Sequence, residues 1–311
     1  MLLVALLLMG LAPLSAAELS KPNIIFVLYD DLGYGEPPSY NPKSALRTPI
    51  LDKLATQGMR FTDAHTAAAV CTPTRYGLLT GRYPSRIGQF GVLTTFSKPI
   101  IPPGRPTVAS LLKSQGYTTA CIGKWHLGMD WVAGKPGSEK EVPIGAKMTG
   151  GPNALGFDYF YGFTHARNIG TIIEQDQVVA HVAPVANQPL MAKKVVEWLD
   201  QRKASEPFFL YFPVGIPHEP IVPSDEFIGK SGAQDLVKKD PSMATGFSRA
   251  TPSSAGLLKR WSGITSRRTP SSLSPVITGP NIDPMSLYVN PSAVSMKVAI
   301  GFRSSCAGRA R

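Results

Sequence analysis

The chain has few cysteines and few acidic residues, and these shortages exclude several classes of protein. Only three cysteines, Cys71, Cys121 and Cys306, occur among 311 residues, which excludes a disulfide-rich secreted scaffold. No apolar run after the amino terminus is long enough to cross a bilayer, so we expect no membrane partner once a leader is removed. The apolar content of 43% is that of an ordinary globular protein.

The shortage of acidic residues is concentrated at the carboxyl-terminal end. Residues 231–311 contain 11 Lys and Arg, 3 Asp, 15 Ser and no Glu, so they hold +8 of the formal net charge of +11. A basic protein raises the hypothesis of nucleic-acid binding. This segment has no helix-turn-helix, zinc-finger or RRM pattern, however, and such charge runs are usually solvated surface or disorder. We therefore expect no nucleic-acid partner.

The first 17 residues, MLLVALLLMGLAPLSAA, have the pattern of a signal peptide. Their apolar run has the length of an h-region, and residues 15–17 fit a small-residue cleavage site before Glu18. The alternative, a buried amino-terminal helix, is disfavoured because a strand pattern follows at once. We expect export to a periplasmic, extracellular or lumenal compartment.

Strand and helix patterns then alternate along the chain up to about residue 230. The segment KPNIIFVLYDD predicts a buried strand, TPILDKLATQG predicts a helix that ends at Gly58, and MRFTDAHT predicts the next strand. This β-α-β order implies a parallel sheet and an α/β fold. Further helices are predicted from about residue 73 and at 107–115 and 188–204, and further strands at 117–123 and 207–214.

Two acids, Asp30 and Asp31, stand at the end of the first predicted strand. Neighbouring side chains on a strand point to opposite faces, so both converge only if the backbone turns, and LGYG at residues 32–35 supplies a turn. Two hard oxygen ligands at this edge of a parallel sheet suit Ca²⁺ or Mg²⁺. The pair alone leaves open a helix-capping acid beside a solvated one.

Cys71 opens the segment CTPTRYGLLTG, in which Pro73 predicts the start of a helix. A helix N-terminus offers free N–H groups to an anion, and Arg75 adds a permanent cation. The segment therefore indicates a nucleophile beside an anion site, although a buried structural cysteine is an equal alternative. Cys121 lies in a strand pattern, YTTACIG, and is expected to be a small core residue.

Two further motifs place basic side chains near predicted strand ends. In CIGKWHLG, an extended backbone from Lys124 to His126 would put these two side chains on one face and Trp125 on the other. In VGIPHEP, His218 follows the last strong strand pattern. A lone histidine there is more often structural than catalytic, so this motif alone does not decide its role.

The order of these motifs resembles the sulfatase family of the alkaline-phosphatase-like superfamily over about residues 21–230. The most specific motif is CTPTRYGLLTG, which is similar to the sequence that a maturation enzyme recognises when it converts the family's cysteine to formylglycine. The resemblance implies an α/β fold, with a mostly parallel sheet flanked by helices and incomplete at its carboxyl-terminal end. It also implies arylsulfatase-like hydrolysis of sulfate monoesters of a small molecule or glycan.

The resemblance assigns a role to each motif residue. Formylglycine made from Cys71 would attack sulfur with one hydroxyl of its hydrate, and the other hydroxyl would lose its proton as sulfate leaves. The divalent cation, Ca²⁺ or alternatively Mg²⁺, would be bound by Asp30, Asp31 and residue 71. The basic groups would orient the formylglycine (Arg75), bind the sulfate (Lys124), contact the hydrate (His126) and contact the leaving-group oxygen (His218). His65, His165 and His181 match no motif and are expected to be structural or surface residues.

Two family features are missing from this sequence. Members complete the metal site with an Asp-Asn pair, usually followed by Gly, and supply another sulfate-binding lysine later; the segment 281–283 holds Asn and Asp in the wrong order. Two carboxylates provide fewer than the six to eight oxygens that Ca²⁺ takes, so we expect poor metal affinity. An inactive pseudo-sulfatase that binds sulfated ligands stays open, as does a phosphoester or phosphonate hydrolase on the same scaffold.

The change in composition predicts three segments: a signal peptide at 1–17, the amino-terminal part of a catalytic domain at 18–232, and an aberrant, poorly ordered basic tail at 233–311. We hypothesise that this tail is translated out of frame. Translation of the other two frames of the coding sequence should then give a strand followed by Asp-Asn-Gly after the codon for Gly232. If neither frame contains it, the hypothesis is wrong.

Overall fold

The computed structural model describes residues 21–203, 205–220 and 222–223, and the backbone of two short strands at Val276–Ile277 and Lys297–Gly301. The predicted signal peptide, the proposed break at 232, the segment 281–283 and Cys306 lie outside the described residues, as does most of the predicted tail. Within the described part, every helix is too short or too polar to cross a membrane.

A central sheet organises the described residues. Its nine strands follow the order β2-β10-β11-β1-β9-β3-β6-β7-β8; pairing is parallel from β2 to β6 and antiparallel from β6 to β8. The predicted mostly parallel α/β sheet is confirmed. In chain order the strands are β1 (Ile24–Asp30), β2 (Met59–Arg60), β3 (Thr118–Lys124), β4 (Asp130–Trp131), β5 (Met148–Thr149), β6 (Tyr159–Phe163), β7 (Thr171–Glu174), β8 (Gln177–His181), β9 (Phe208–Pro217), β10 (Val276–Ile277) and β11 (Lys297–Gly301). Strands β4 and β5 form a separate pair.

Four α-helices accompany the sheet in the described chain: α1 (Pro49–Gln57), α2 (Cys71–Thr80), α3 (Val108–Ser114) and α4 (Pro184–Asp200). Each corresponds to a predicted helix, although α4 begins four residues before the predicted start at 188. The strand predicted over residues 59–66 is wrong in length, because β2 ends at Arg60. The sequence patterns missed β6, β7 and β8 altogether.

Side chains from both faces of the sheet form the core. Along β1 all seven residues are buried, and alternate residues enter two different apolar clusters. One cluster joins Ile25, Val27 and Tyr29 to residues of α1 and α4. The other joins Ile24, Phe26 and Leu28 to residues of α2 and α3. Helices therefore cover the sheet on both sides, which leaves its edges as the place for polar groups.

The carboxyl ends of three neighbouring strands place the predicted site residues side by side. Strand β9 pairs with β1 on one side and with β3 on the other, in parallel. Asp30 ends β1, Lys124 ends β3, and His218 follows the last residue of β9. Because parallel strands end at the same edge of a sheet, these three residues meet there.

The close approach of β3 and β6 allows a test of the register in which these two parallel strands pair. Gly162 pairs with Gly123, and a Cβ atom at Gly162 would collide with the Gly123 carbonyl oxygen. Replacing Gly162 by Ala should therefore lower the free energy of unfolding by about 2 kcal/mol, measured by chemical denaturation. Gly91→Ala is the matched control because a methyl group added there would meet nothing within 4 Å. Equal effects of the two substitutions would contradict the register.

Candidate active site

A buried carboxylate, that of Asp30, lies at the centre of the candidate site. Its side chain is 1% exposed; one oxygen, Oδ2, pairs with Lys124 Nζ, and Oδ1 lies 3.4 Å from Arg75 Nη2. Burial alone would raise the pKa of Asp30, but the charges of Lys124, Arg75 and His218 hold this pKa far below its usual range. The carboxylate is therefore ionised and compensated by two buried cations.

The next residue, Asp31, makes the turn that brings both acids to one side. Its φ of 71° is in the left-handed region, which is uncommon for a residue other than glycine. The turn therefore begins at Asp31 itself, and the prediction that LGYG at residues 32–35 supplies it was one residue too late. Asp31 Oδ2 lies 3.7 Å from His218 Nε2, so the second acid also faces the site.

Cys71 is the first residue of α2, as the sequence predicted to within two residues. Its side chain is buried, and Sγ lies 3.4 Å from both Asp30 Oδ1 and Lys124 Nζ. Burial raises the pKa of the thiol, but a hydrogen bond with His218 and the nearby cations bring it below its ordinary value. By contrast Cys121 is fully buried in the core with a raised pKa, which confirms its predicted role.

Arg75 and Lys124 supply the positive charge of the site. Both side chains are buried, and Arg75 Nη1 donates to the Lys124 carbonyl oxygen at 2.7 Å. Arg75 thus ties α2 to the end of β3 while its other terminal nitrogen faces Asp30. Two fixed cations at one place suit an anionic ligand, and in this structure the carboxylates of Asp30 and Asp31 lie in the same site.

The backbone at His126 differs from the prediction. Strand β3 ends at Lys124, and His126 has a φ of 58°, so the predicted extended run from Lys124 to His126 is wrong. Trp125 is nevertheless buried as predicted, and its indole N–H donates to the Gly128 carbonyl oxygen at 2.9 Å. The left-handed residue redirects the His126 side chain away from the direction that a continued strand would give it.

The hydrogen bonds of His126 define its protonation. Nε2 lies 2.8 Å from the Leu93 carbonyl oxygen, which can only accept, so Nε2 carries the proton. The other nitrogen, Nδ1, is buried and has no hydrogen-bond partner within the described residues. Burial, followed by the charges of Lys124 and Arg75, holds the pKa of His126 well below its usual value. The ring is therefore neutral, with an unprotonated Nδ1.

His218 closes the site on the side of β9. Its Nδ1 donates to the Glu219 carbonyl oxygen at 2.6 Å, which leaves Nε2 toward Asp31 and Cys71. The hydrogen bond with Cys71 raises the pKa of His218, and burial opposes this shift. His218 therefore retains its proton to higher pH than an ordinary histidine, which suits a proton donor.

The structure also shows one residue near the site that the motifs missed. His165 stacks on His126, with ring centroids 5.3 Å apart and an interplanar angle of 21°, and it is buried. Burial is the main reason that the pKa of His165 falls to about 4. No motif surrounds His165, so its position could not be read from sequence patterns. His65 and His181 lie nearer the surface, paired with Asp63 and the Val142 carbonyl respectively, as predicted.

The candidate site contains donor atoms of the types that bind divalent cations. Ligand atoms of Asp30, Cys71 and His218 lie within 4.8 Å of one another, and Asp31 follows Asp30 in the same turn. Carboxylate oxygens are the ligands that Ca²⁺ and Mg²⁺ prefer. In this structure Lys124 and Arg75 compensate Asp30, and Asp31 adds a second carboxylate near His218.

Comparison with known proteins decides the family. The family model for sulfatases matches residues 22–262, which is most of the chain. The chain belongs to the sulfatase family. Members of this family work with a divalent cation and a formylglycine, and the clustered groups described above are consistent with both. The match extends past the predicted boundary at residue 232, which itself stays a prediction.

Curated relatives agree with this assignment. Arylsulfatase A of Bos taurus is 34% identical over 244 residues, which are 70% of this chain and 45% of that protein. Steryl-sulfatase of Homo sapiens is 43% identical over 151 residues, 47% of this chain and 24% of that protein. The chain therefore spans less than half the length of these relatives.

Solved structures support the same fold. One is BT33336S-sulf, described with the metabolism of multiple glycosaminoglycans by Bacteroides thetaiotaomicron; it is 25% identical with a TM-score of 0.68, over 79% of this chain and 60% of that chain. Ps i-CgsB in complex with k-i-k-neocarrahexaose is 26% identical with a TM-score of 0.65, over 79% and 56% of the two chains. The sulfatase fold is therefore present in the part of the chain that the structure describes.

The buried charges predict how the site contributes to stability. Replacing Asp30 by Asn leaves Lys124 and Arg75 buried without their carboxylate, which should cost about 3 kcal/mol of the free energy of unfolding in urea. Asp63→Asn is the matched control because the Asp63 side chain is 86% exposed in its pair with His65, and it should change little. A loss no greater for Asp30→Asn than for the control would contradict the paired, buried arrangement.

Proposed function

We propose that this sulfatase-family chain hydrolyses sulfate monoesters of an aryl or sugar alcohol, with residue 71 working as formylglycine and with a divalent cation, Ca²⁺ in the first place. The observation that carries the proposal is the position of Cys71. It lies at the start of α2, 3.4 Å from Asp30 Oδ1 and from Lys124 Nζ. This is a buried position beside two cations, Lys124 and Arg75, for a group that must meet an anionic ester.

The proposed sulfate position follows from charge. Lys124 and Arg75 are fixed by contacts to Asp30, so they are pre-organised and lose little freedom when an anion binds. The N-terminus of α2 adds backbone N–H groups at the same place. We propose that Lys124 binds sulfate oxygens directly, while Arg75 orients residue 71.

The proposed proton transfers follow from the two imidazoles. Hydrated formylglycine supplies two hydroxyl groups on one carbon. His126 is neutral with an unprotonated Nδ1, so it can accept a proton from such a hydroxyl. His218 Nε2 lies 3.7 Å from Asp31 Oδ2, and a carboxylate beside an imidazole favours the protonated imidazole. We therefore propose that His218 donates a proton from Nε2 to the leaving-group oxygen.

The proposed cation site is Asp30 and Asp31 together with the side chain of residue 71. When bound, the cation would lower the pKa of a hydroxyl and neutralise charge on the sulfate oxygens. The described residues offer fewer oxygens than the six to eight that Ca²⁺ takes, so we propose weak binding that needs excess metal.

The wider setting of the protein is also proposed. We infer export, because the first 17 residues have the pattern of a signal peptide, and maturation of Cys71 by a formylglycine-generating or equivalent enzyme. A sulfated small molecule or glycan is supported by the arylsulfatase and steryl-sulfatase relatives and by the k-i-k-neocarrahexaose in complex with Ps i-CgsB.

An activity assay with a chemical readout tests the proposal. The full chain, produced with a maturation enzyme, should hydrolyse p-nitrophenyl sulfate in excess Ca²⁺ and leave p-nitrophenyl phosphate nearly untouched. Mass spectrometry of the peptide that contains residue 71 should show the loss of one sulfur and two hydrogens and the gain of one oxygen. Cys71→Ala should lower the rate at least about 10³-fold, whereas Cys121→Ala should retain catalysis because Cys121 lies in the core.

Each contrary result has a distinct meaning. If residue 71 is converted to formylglycine and the chain binds sulfate esters without hydrolysing them, the chain is an inactive sulfate-ester-binding protein. Faster hydrolysis of the phosphate would assign the site to phosphoesters. Unmodified Cys71 in an active protein would contradict the proposed nucleophile.

A further inference from the structure

We propose that His165 is a positioning residue for His126: its ring and its hydrogen bond to Thr95 hold the His126 imidazole in one orientation with Nδ1 unprotonated. The catalytic consequence rests on the proposed function, in which His126 accepts a proton. The positioning itself is a property of the folded chain and does not depend on turnover.

The first support is the contact between the two rings. Their centroids are 5.3 Å apart, and their planes differ by 21°, so one face of His126 is covered by a flat, rigid partner. At its edge, Nε2 of His126 donates to the Leu93 carbonyl oxygen at 2.8 Å. One face and one edge are thus fixed, which leaves little room for rotation about the side-chain torsions.

The second support is that His165 is itself held in one tautomer. Its Nδ1 accepts from the Arg167 backbone N–H at 3.3 Å, so the proton resides on Nε2. This Nε2 lies 2.8 Å from Thr95 Oγ1, whose own hydrogen goes to the Glu139 carbonyl oxygen at 2.7 Å. Donors and acceptors along this chain of bonds allow only one arrangement.

The third support is that the same two backbone segments hold both imidazoles. Leu93 accepts from His126, and Thr95, two residues further on, accepts from His165. On the other side, the His126 backbone N–H donates to the Thr164 carbonyl oxygen at 2.8 Å, and His165 follows directly. Nearly parallel rings are the geometric result of these paired attachments.

The surrounding shell is buried, so its bonds are not exchanged with water. Thr95, Thr164 and Asn168 are each at most 5% exposed. Thr164 Oγ1 donates to Asn168 Oδ1 at 3.1 Å, and Asn168 Nδ2 donates to the Glu139 carbonyl oxygen at 3.2 Å. Removing one member would leave a buried polar group without its bond, which is costly. The shell therefore favours one discrete arrangement of both rings.

Nuclear magnetic resonance of the full chain, labelled with ¹⁵N-histidine, tests the positioning directly. The chain has five histidines, so single His→Gln variants assign the signals. In the wild-type chain His126 should show a protonated Nε2 and an unprotonated Nδ1. His165→Ala should turn this into a mixture of both tautomers, and His165→Phe, which restores a flat ring, should recover most of the original signal.

A second pair of variants covers the case in which His165→Ala does not fold. Thr95→Val removes the hydroxyl but keeps the shape, and should also shift the His126 signals, whereas Thr95→Ser should leave them unchanged. His181→Ala is the matched histidine control, since His181 lies on β8 with its Nε2 at the Val142 carbonyl. If His126 keeps a single tautomer in both His165→Ala and Thr95→Val, the proposal is wrong.

Kinetics add a second readout if the chain is active. His165→Ala should lower kcat about tenfold with little change in KM, because misplacing a catalytic group affects the transition state more than binding. His165→Phe should recover most of that loss. A fall in kcat without any change in the His126 tautomer would overturn the positioning role. A matured wild-type chain without activity would contradict the proposed function alone, since the resonance measurement decides this inference independently.

Discussion

The buried Asp30 carboxylate and its two cations form the constraint on which the rest of the site depends. An ionised group that is 1% exposed is tolerated only when opposite charge lies beside it. Lys124 at the end of β3 and Arg75 from α2 supply that charge. One carboxylate therefore ties together the carboxyl ends of β1 and β3 and the amino-terminal half of α2. Residue 71, the first residue of α2, takes its position from this arrangement.

The same arrangement explains the opposite behaviour of the two site histidines. Burial, followed by the charges of Lys124 and Arg75, lowers the pKa of His126, whereas the hydrogen bond with the Cys71 thiol raises the pKa of His218. In the proposed function, these two imidazoles act as the proton acceptor and the proton donor on either side of the sulfate. Behind His126, the stacked His165 ring and its hydrogen bond to Thr95 hold the His126 side chain in place. The proposed catalysis therefore depends on the pairing of Asp30 with Lys124 and Arg75 at the carboxyl edge of the parallel sheet.

Sequence patterns predicted the parts of the fold that depend on burial or on local chemistry. The strands β1 and β9 carry long apolar runs, β3 carries a short one at residues 120–122, and α1 ends where Gly58 predicts. Strands β6 to β8 have only four or five residues each, too few for a clear period. The left-handed residues Asp31 and His126 were missed because tertiary contacts, not propensity, impose them. His165 was missed for the same reason: only the fold places it against His126.

The most direct test of the central claim is a crystal structure of the matured chain with inorganic sulfate or vanadate. The account predicts that the anion lies within hydrogen-bond distance of Lys124 Nζ and of the side chain of residue 71, with Asp30 still buried beside them. An anion bound elsewhere, or a residue 71 turned away from Asp30 and Lys124, would contradict it.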